Sequence, residues 1–79
     1  MTGEEIAEKL KKIVSDQLGV DTQELSLDSN LKEDLQADSL DIVQMIMEAE
    51  DQFGIEIEDD AAMNFVTLGD VVAYISTKV

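Results

Sequence analysis

The sequence predicts an all-α fold, a small three-to-four-helix bundle with a long first loop and a short third helix. Three stretches place apolar residues at helical spacing, and each follows a residue that suits a helix N-terminus. The 79 residues contain no Pro and no Gly-rich linker. We therefore expect residues 1–79 to form a single domain, although a chain this short buries only roughly 60% of the surface of its unfolded form.

The first helix is predicted to begin after Thr2, which can form a capping box with Glu5. Gly19 suits the left-handed conformation that ends a helix. The predicted buried face of this helix consists of Ile6, Leu10, Ile13, Val14 and Leu18. Residues 21–37 show no period, and we expect a long ordered loop that contains a short helical turn of its own or serves a function. Its apolar anchors are predicted to be Leu25, Leu27, Leu31 and Leu35.

The second helix is predicted to begin at Asp38 as N-cap, with Asp41 three residues later, and to end at Gly54. On a helical wheel one apolar face points to the core, formed by Ile42, Met45, Ile46, Ala49 and Phe53. A second apolar stripe lies beside an arc of acidic residues and consists of Leu40, Val43 and Met47. Either the long loop covers this stripe or a partner protein binds it.

The last third of the chain contains one further long helix. Ile55 and Ile57 alternate with acidic residues, but no second strand is available to pair with them, so we expect an extended connector with inward isoleucines. Asp59 or Asp60 can cap a short helix through residues 61–64. Thr67 and Asp70 begin the last helix, whose predicted buried face is Leu68, Val71, Val72 and Ile75.

The composition excludes several classes of function. The chain has no Cys and no His, so thiol chemistry and the commonest metal ligands are missing, and no metal site is predicted. A net charge of −14, with eleven acidic residues between Glu33 and Asp60, disfavours nucleic acid and favours basic protein partners. The N-terminus does not resemble a signal peptide and no apolar run is long enough to span a bilayer. We expect a cytoplasmic protein without stable membrane insertion.

Ser39 is the candidate functional residue. A serine nucleophile needs a base, and neither a His nor a suitably spaced Lys accompanies Ser39, so the protein is not expected to be an enzyme. Ser39 can be a simple helix cap, or Asp38 can be the cap and leave the Ser39 hydroxyl free for modification. A helix N-terminus favours a phosphate group, but the nearby Asp38 and Asp41 favour a singly charged diester that points outward.

The segment Asp38-Ser39-Leu40-Asp41 closely resembles the attachment region of acyl carrier proteins. The resemblance extends through the apolar run 42–47 and the segment 53–57 to the Thr67-Leu68-Gly69-Asp70 start of the last helix. It implies that Ser39 carries 4′-phosphopantetheine, which a Mg-dependent phosphopantetheinyl transferase (holo-synthase) transfers covalently from coenzyme A. The arm then carries acyl chains as thioesters, and its thiol explains how a chain without Cys can function.

The same resemblance implies the partners and their binding residues. The partners are fatty-acid synthesis enzymes with basic docking patches, and acyltransferases. The implied contact residues are Asp38, Leu40, Asp41, Val43, Met47, Glu48 and Asp51. The implied lining of an acyl pocket inside the bundle is Met45, Ile46, Phe53 and Ile75.

Some residues depart from the family pattern, and other functions stay open. Gln44 stands where the family often has an acidic residue, and Ala49 where it often has Leu. The chain could be a specialised polyketide or aminoacyl carrier, or an unmodified acidic adaptor that binds basic partners. A calcium loop of the EF-hand type is disfavoured because Lys32 would occupy a ligand position.

Overall fold

Four α-helices and one short 3₁₀ turn make up the computed structural model, which describes residues 2–79. The helices are α1 (Gly3–Leu18), α2 (Ser39–Phe53), α3 (Asp59–Met63) and α4 (Leu68–Lys78), and the 3₁₀ turn is Thr22–Glu24. Helix α1 packs against both α2 and α4. The predicted all-α bundle with a long first loop and a short third helix is confirmed.

Helices α1, α2 and α4 begin with the predicted capping boxes, formed by the pairs Thr2–Glu5, Asp38–Asp41 and Thr67–Asp70. In each pair the N-cap side chain accepts a hydrogen bond from the third helical N–H, and the acidic side chain accepts one from the N-cap N–H. Hydrogen bonds from the backbone N–H groups of Val66 and Thr67 lower the pKa of the Asp70 carboxyl below its ordinary value. Gly19 and Gly54 are left-handed and end α1 and α2 as predicted.

The predicted cap of the short third helix is wrong. Asp59 and Asp60 are its first helical residues, and the N-cap is Glu58, whose side chain makes no capping bond. The reason lies just before the helix: Ile57 is buried, and its N–H donates to a carboxylate oxygen of Glu50 at 2.7 Å. Helix α3 begins at Asp59, two residues before the predicted start, so Asp59 and Asp60 lie in its first turn, where their charge interacts favourably with the helix dipole.

The core lies between α1, α2 and α4. The predicted apolar face of α4 is buried in full, and Ile6, Leu10, Ile13 and Val14 of α1 are 3% exposed or less. On α2 only Met45 and Ala49 are buried, while the rest of its predicted inner face is half-buried. Helix α2 is therefore packed less tightly against the bundle than α1 or α4.

The long loop is held to the start of α4 mainly through its backbone. The N–H of Leu31 donates to the carbonyl of Val66 at 2.9 Å, and the N–H of Gly69 donates to the carbonyl of Leu27 at 2.8 Å. A Cβ atom at Gly69 would lie 3.1 Å from that carbonyl oxygen, so this close approach favours glycine. The loop is thus ordered as predicted, although its long-range pairing was not predicted.

The leucine anchors of this loop behave differently from one another. Leu25 and Leu31 are buried as predicted, and Leu35 is half-buried against the core. The prediction is wrong for Leu27, whose side chain is 43% exposed. The reason is that the carbonyl of Leu27, and not its side chain, makes the attachment to α4.

Gln36 is the one described non-glycine residue with a positive φ, at 56°. The left-handed region costs an ordinary residue about 1–2 kcal/mol, and replacing that residue by glycine removes this cost. Glycine also raises the conformational entropy of the unfolded chain, which lowers the stability by about 0.4–1 kcal/mol. We expect Gln36→Gly to raise the free energy of unfolding by about 0.5–1 kcal/mol, measured by urea denaturation followed by circular dichroism. The same change in the last turn of α2, Gln52→Gly, should instead lower it by about 0.5–1 kcal/mol, because this residue has right-handed helical geometry. A loss of stability in Gln36→Gly would contradict the strain assignment.

Candidate functional site

Ser39 occupies the first position of α2 and is exposed. Oδ1 of Asp38 accepts a hydrogen bond from the N–H of Asp41 at 2.8 Å, so Asp38 is the cap of the helix. The interpretation of Ser39 as a simple cap is therefore wrong. Among residues 2–79 the Ser39 hydroxyl makes no hydrogen bond, which leaves its oxygen available to form a covalent bond.

The segment before Ser39 is fixed by a tight turn over residues 30–35. Oδ1 of Asn30 accepts hydrogen bonds from the N–H groups of Lys32 and Glu33 at 3.0 and 2.9 Å. The N–H of Asn30 in turn donates to Oδ2 of Asp34 at 2.7 Å. The N–H of Ala37, a buried residue, donates to the carbonyl of Leu31 at 2.9 Å. These bonds determine where the chain enters α2 and hence where Ser39 lies.

A cavity of about 300 Å³ opens beside Ser39, between α2 and the α3 region. Its lining is Lys32, Ser39, Ile42, Val43, Ile46, Ala62, Met63 and Phe65. The residues from the α3 region were not predicted from the sequence, because their position depends on tertiary packing. Phe65 is held edge-on by Tyr74, with ring centroids 5.7 Å apart.

A second, inner void lies deeper in the core and measures only about 10 Å³. It shares three lining residues with the outer cavity, Ile42, Ile46 and Phe65, so the two spaces adjoin at these side chains. Of the residues implied as the lining of an acyl pocket, Met45 and Ile46 line this inner void. Phe53 and Ile75 line neither space, since Ile75 is fully buried in the core and the ring of Phe53 lies under the Lys9 ammonium group of α1.

The predicted apolar stripe of α2 lies open on the surface. Leu40, Val43 and Met47 are 64%, 50% and 61% exposed. The interpretation in which the long loop covers this stripe is therefore wrong, because the loop is bound to α4 instead. Exposed apolar side chains grouped on one helix are typical of a surface that contacts a partner.

The four acidic residues that the resemblance implies as partner contacts fall into two groups along α2 and its cap. Asp38 and Asp41 bond each other's backbone N–H groups, and Asp41 is half-buried. Glu48 and Asp51 are exposed about two and three turns further along the helix. Gln44, predicted to lack a recognition charge, accepts a hydrogen bond from Gln17 and so ties α2 to the end of α1.

Among residues 2–79 no group of three or more acidic side chains is arranged to hold a metal ion. Within the same residues no helix is long and apolar enough to cross a membrane.

Comparison with known proteins gives a consistent result over the whole chain. Residues 8–75 match the family model described as a phosphopantetheine attachment site. An acyl carrier protein of Exiguobacterium sibiricum is 46% identical over 79 residues, covering all of both chains. A second, from another Exiguobacterium strain, is 46% identical over 78 residues and covers 99% of each chain. The solved structure of the acyl carrier protein from Enterococcus faecalis superposes with a TM-score of 0.83 at 37% identity, covering all of both chains.

The geometry of the α2 N-terminus predicts unequal effects on stability for two neighbouring substitutions. Ser39→Ala should change the free energy of unfolding by less than about 0.5 kcal/mol, because the hydroxyl has no internal hydrogen bond to lose. Asp38→Ala should lower it by about 1 kcal/mol, because the N–H of Asp41 loses its acceptor. Urea denaturation at pH 7 measures both. A larger loss in Ser39→Ala than in Asp38→Ala would show that the serine is the cap after all.

Proposed function

The chain belongs to the acyl carrier protein family, and we propose that Ser39 is the residue that carries 4′-phosphopantetheine and that the carrier serves fatty-acid synthesis. The observation that supports Ser39 is its free, exposed hydroxyl on a helix whose cap is supplied by another side chain. The family match runs through this position.

The residues around Ser39 fit the group. Its oxygen would form the bond to phosphorus while the pyrophosphate bond of coenzyme A breaks and the nucleotide leaves, with the serine proton passing to the transferase or to water. Asp38 and Asp41 do not block this bond, because both carboxylates are turned to backbone N–H groups. The attached arm supplies a thiol that holds acyl groups as thioesters, which a chain without Cys cannot supply itself.

The outer cavity supports a place for cargo beside the attachment residue. Its volume of about 300 Å³ lies at the lower end of the range for small-molecule pockets. The inner void of about 10 Å³ holds about one water-sized sphere, so a long acyl chain needs Phe65 or α3 to move before it can reach the core. Helix α3 is suited to such movement, because it has five residues and no side-chain cap.

The open face of α2 supports the proposed partners, which are the phosphopantetheinyl transferase, fatty-acid synthesis enzymes and acyltransferases with basic patches. Leu40, Val43 and Met47 offer apolar contact, and Glu48 and Asp51 lie exposed on the same helix. Asp38 and Asp41 belong to this surface as well, but the capping box occupies their carboxylates, so we assign them a smaller share of partner recognition. Catalysis belongs to these partners, and a cytoplasmic location stays a prediction.

Attachment is tested by intact mass spectrometry after incubation with coenzyme A, Mg²⁺ and a broad-specificity phosphopantetheinyl transferase. We expect a gain of one phosphopantetheine per chain in the parent and none in Ser39→Ala, with circular dichroism confirming that the variant is folded. Ser76→Ala, which removes another exposed serine hydroxyl, is the control and should be modified fully. Modification of Ser39→Ala would move the attachment to another residue.

Partner binding is tested by reversing one exposed charge. Glu48→Lys should weaken binding to a synthase or transferase roughly three- to tenfold, chiefly through slower association, because an attraction becomes a repulsion. The matched control is Glu8→Lys, which makes the same change of charge at an exposed position on α1. Surface plasmon resonance at two salt concentrations measures both. Equal losses in the two variants would show that net charge, and not the α2 face, guides the partner.

A further inference from the structure

Lys32 stands out because it is the single basic residue between Lys12 and Lys78. It lies in the loop before α2, and its side chain forms part of the wall of the cavity that also contains Ser39. The other charged residues along this part of the chain are acidic, including Glu33, Asp34 and Asp38. One cation therefore faces the same space as the attachment residue in a region of negative potential.

The position of Lys32 is built into the fold. Its backbone N–H donates to Oδ1 of Asn30, and the adjacent Leu31 is 1% exposed with its N–H on the carbonyl of Val66. The turn that carries Lys32 is therefore fixed both by hydrogen bonds and by the burial of the Leu31 side chain. Only the flexible four-carbon stem of the lysine is free to move, and its ammonium group has three donors to offer.

We propose that Lys32 is a positioning residue for the prosthetic arm: its ammonium group binds the phosphodiester at Ser39 and directs the arm along the cavity between α2 and α3. This inference rests on the proposed attachment at Ser39. The phosphodiester carries one negative charge next to Asp38 and Asp41, and Lys32 is the cation on the cavity wall that offsets this repulsion. The rest of the wall is largely apolar and accommodates the remainder of the arm.

The test uses the loaded protein with a nitroxide on the thiol of the arm. Because the chain has no Cys, the label attaches to the arm alone. The variants are Lys32→Gln, which removes the charge, and Lys32→Arg, which keeps it. Lys12→Gln on α1 removes an equal charge from an exposed position away from the cavity. Electron paramagnetic resonance measures the ratio of immobilised to mobile label, and the ³¹P resonance of the single phosphodiester reports on the phosphate itself.

We expect Lys32→Gln to lower the immobilised fraction relative to the mobile fraction roughly 1.5- to 5-fold, the range for an exposed charge pair. The ³¹P resonance should shift in the same variant. Lys32→Arg should restore both signals, Lys12→Gln should leave both unchanged, and about 1 M salt should make the parent resemble Lys32→Gln.

Two failures can be told apart. If no variant gains phosphopantetheine by mass, the proposed function fails. If all variants are loaded but Lys32→Gln gives the spectra of the parent, the attachment stands and the role of Lys32 is overturned. A loss of signal in Lys12→Gln as large as in Lys32→Gln would also overturn it, because overall charge would then explain the effect.

Discussion

The backbone hydrogen bonds between the long loop and the start of α4 are the constraint on which the rest of the structure depends. Twenty residues separate α1 from α2, running from Gly19 to Asp38. Without a fixed course this segment would leave the N-terminus of α2 free to move. Pairing Leu31 with Val66 and Leu27 with Gly69 attaches it to α4, which itself packs on α1. The position of Ser39 in α2 therefore depends on the attachment of the loop to α4.

Two of the five lysines lie over aromatic rings. Lys9 lies over the ring of Phe53, with its ammonium group 5.8 Å from the ring centroid, and Lys78 lies over the ring of Tyr74 at 5.5 Å. Each of these ammonium groups interacts favourably with the face of an aromatic ring. A net charge of −14 lowers the stability of the compact state by self-repulsion but increases the rate of encounter with basic surfaces.

The local parts of the fold could be predicted from the sequence, whereas the parts that depend on distant contacts could not. The capping boxes at Thr2, Asp38 and Thr67 were predicted because each is decided within four residues. Ser39 was found by elimination and by the family motif. The role of Gln44 depends on Gln17, and the cavity depends on Phe65, both far from α2 in sequence. Spacing along one helix contains no information about such neighbours.

The uneven packing of α2 explains how one small bundle can be both rigid at Ser39 and adaptable beside it. The first turn of α2 is held by the reciprocal bonds of Asp38 and Asp41, so the proposed attachment residue is fixed. Further along, Ile42 and Ile46 are only half-buried, and they meet Phe65 across two spaces of unequal volume. Phe65 is half-buried against the core and edge-on to the Tyr74 ring, and it follows a five-residue helix without a side-chain cap. The contacts of α1 with α4 form the most tightly packed part of the core, and Phe65 lies outside both of these helices.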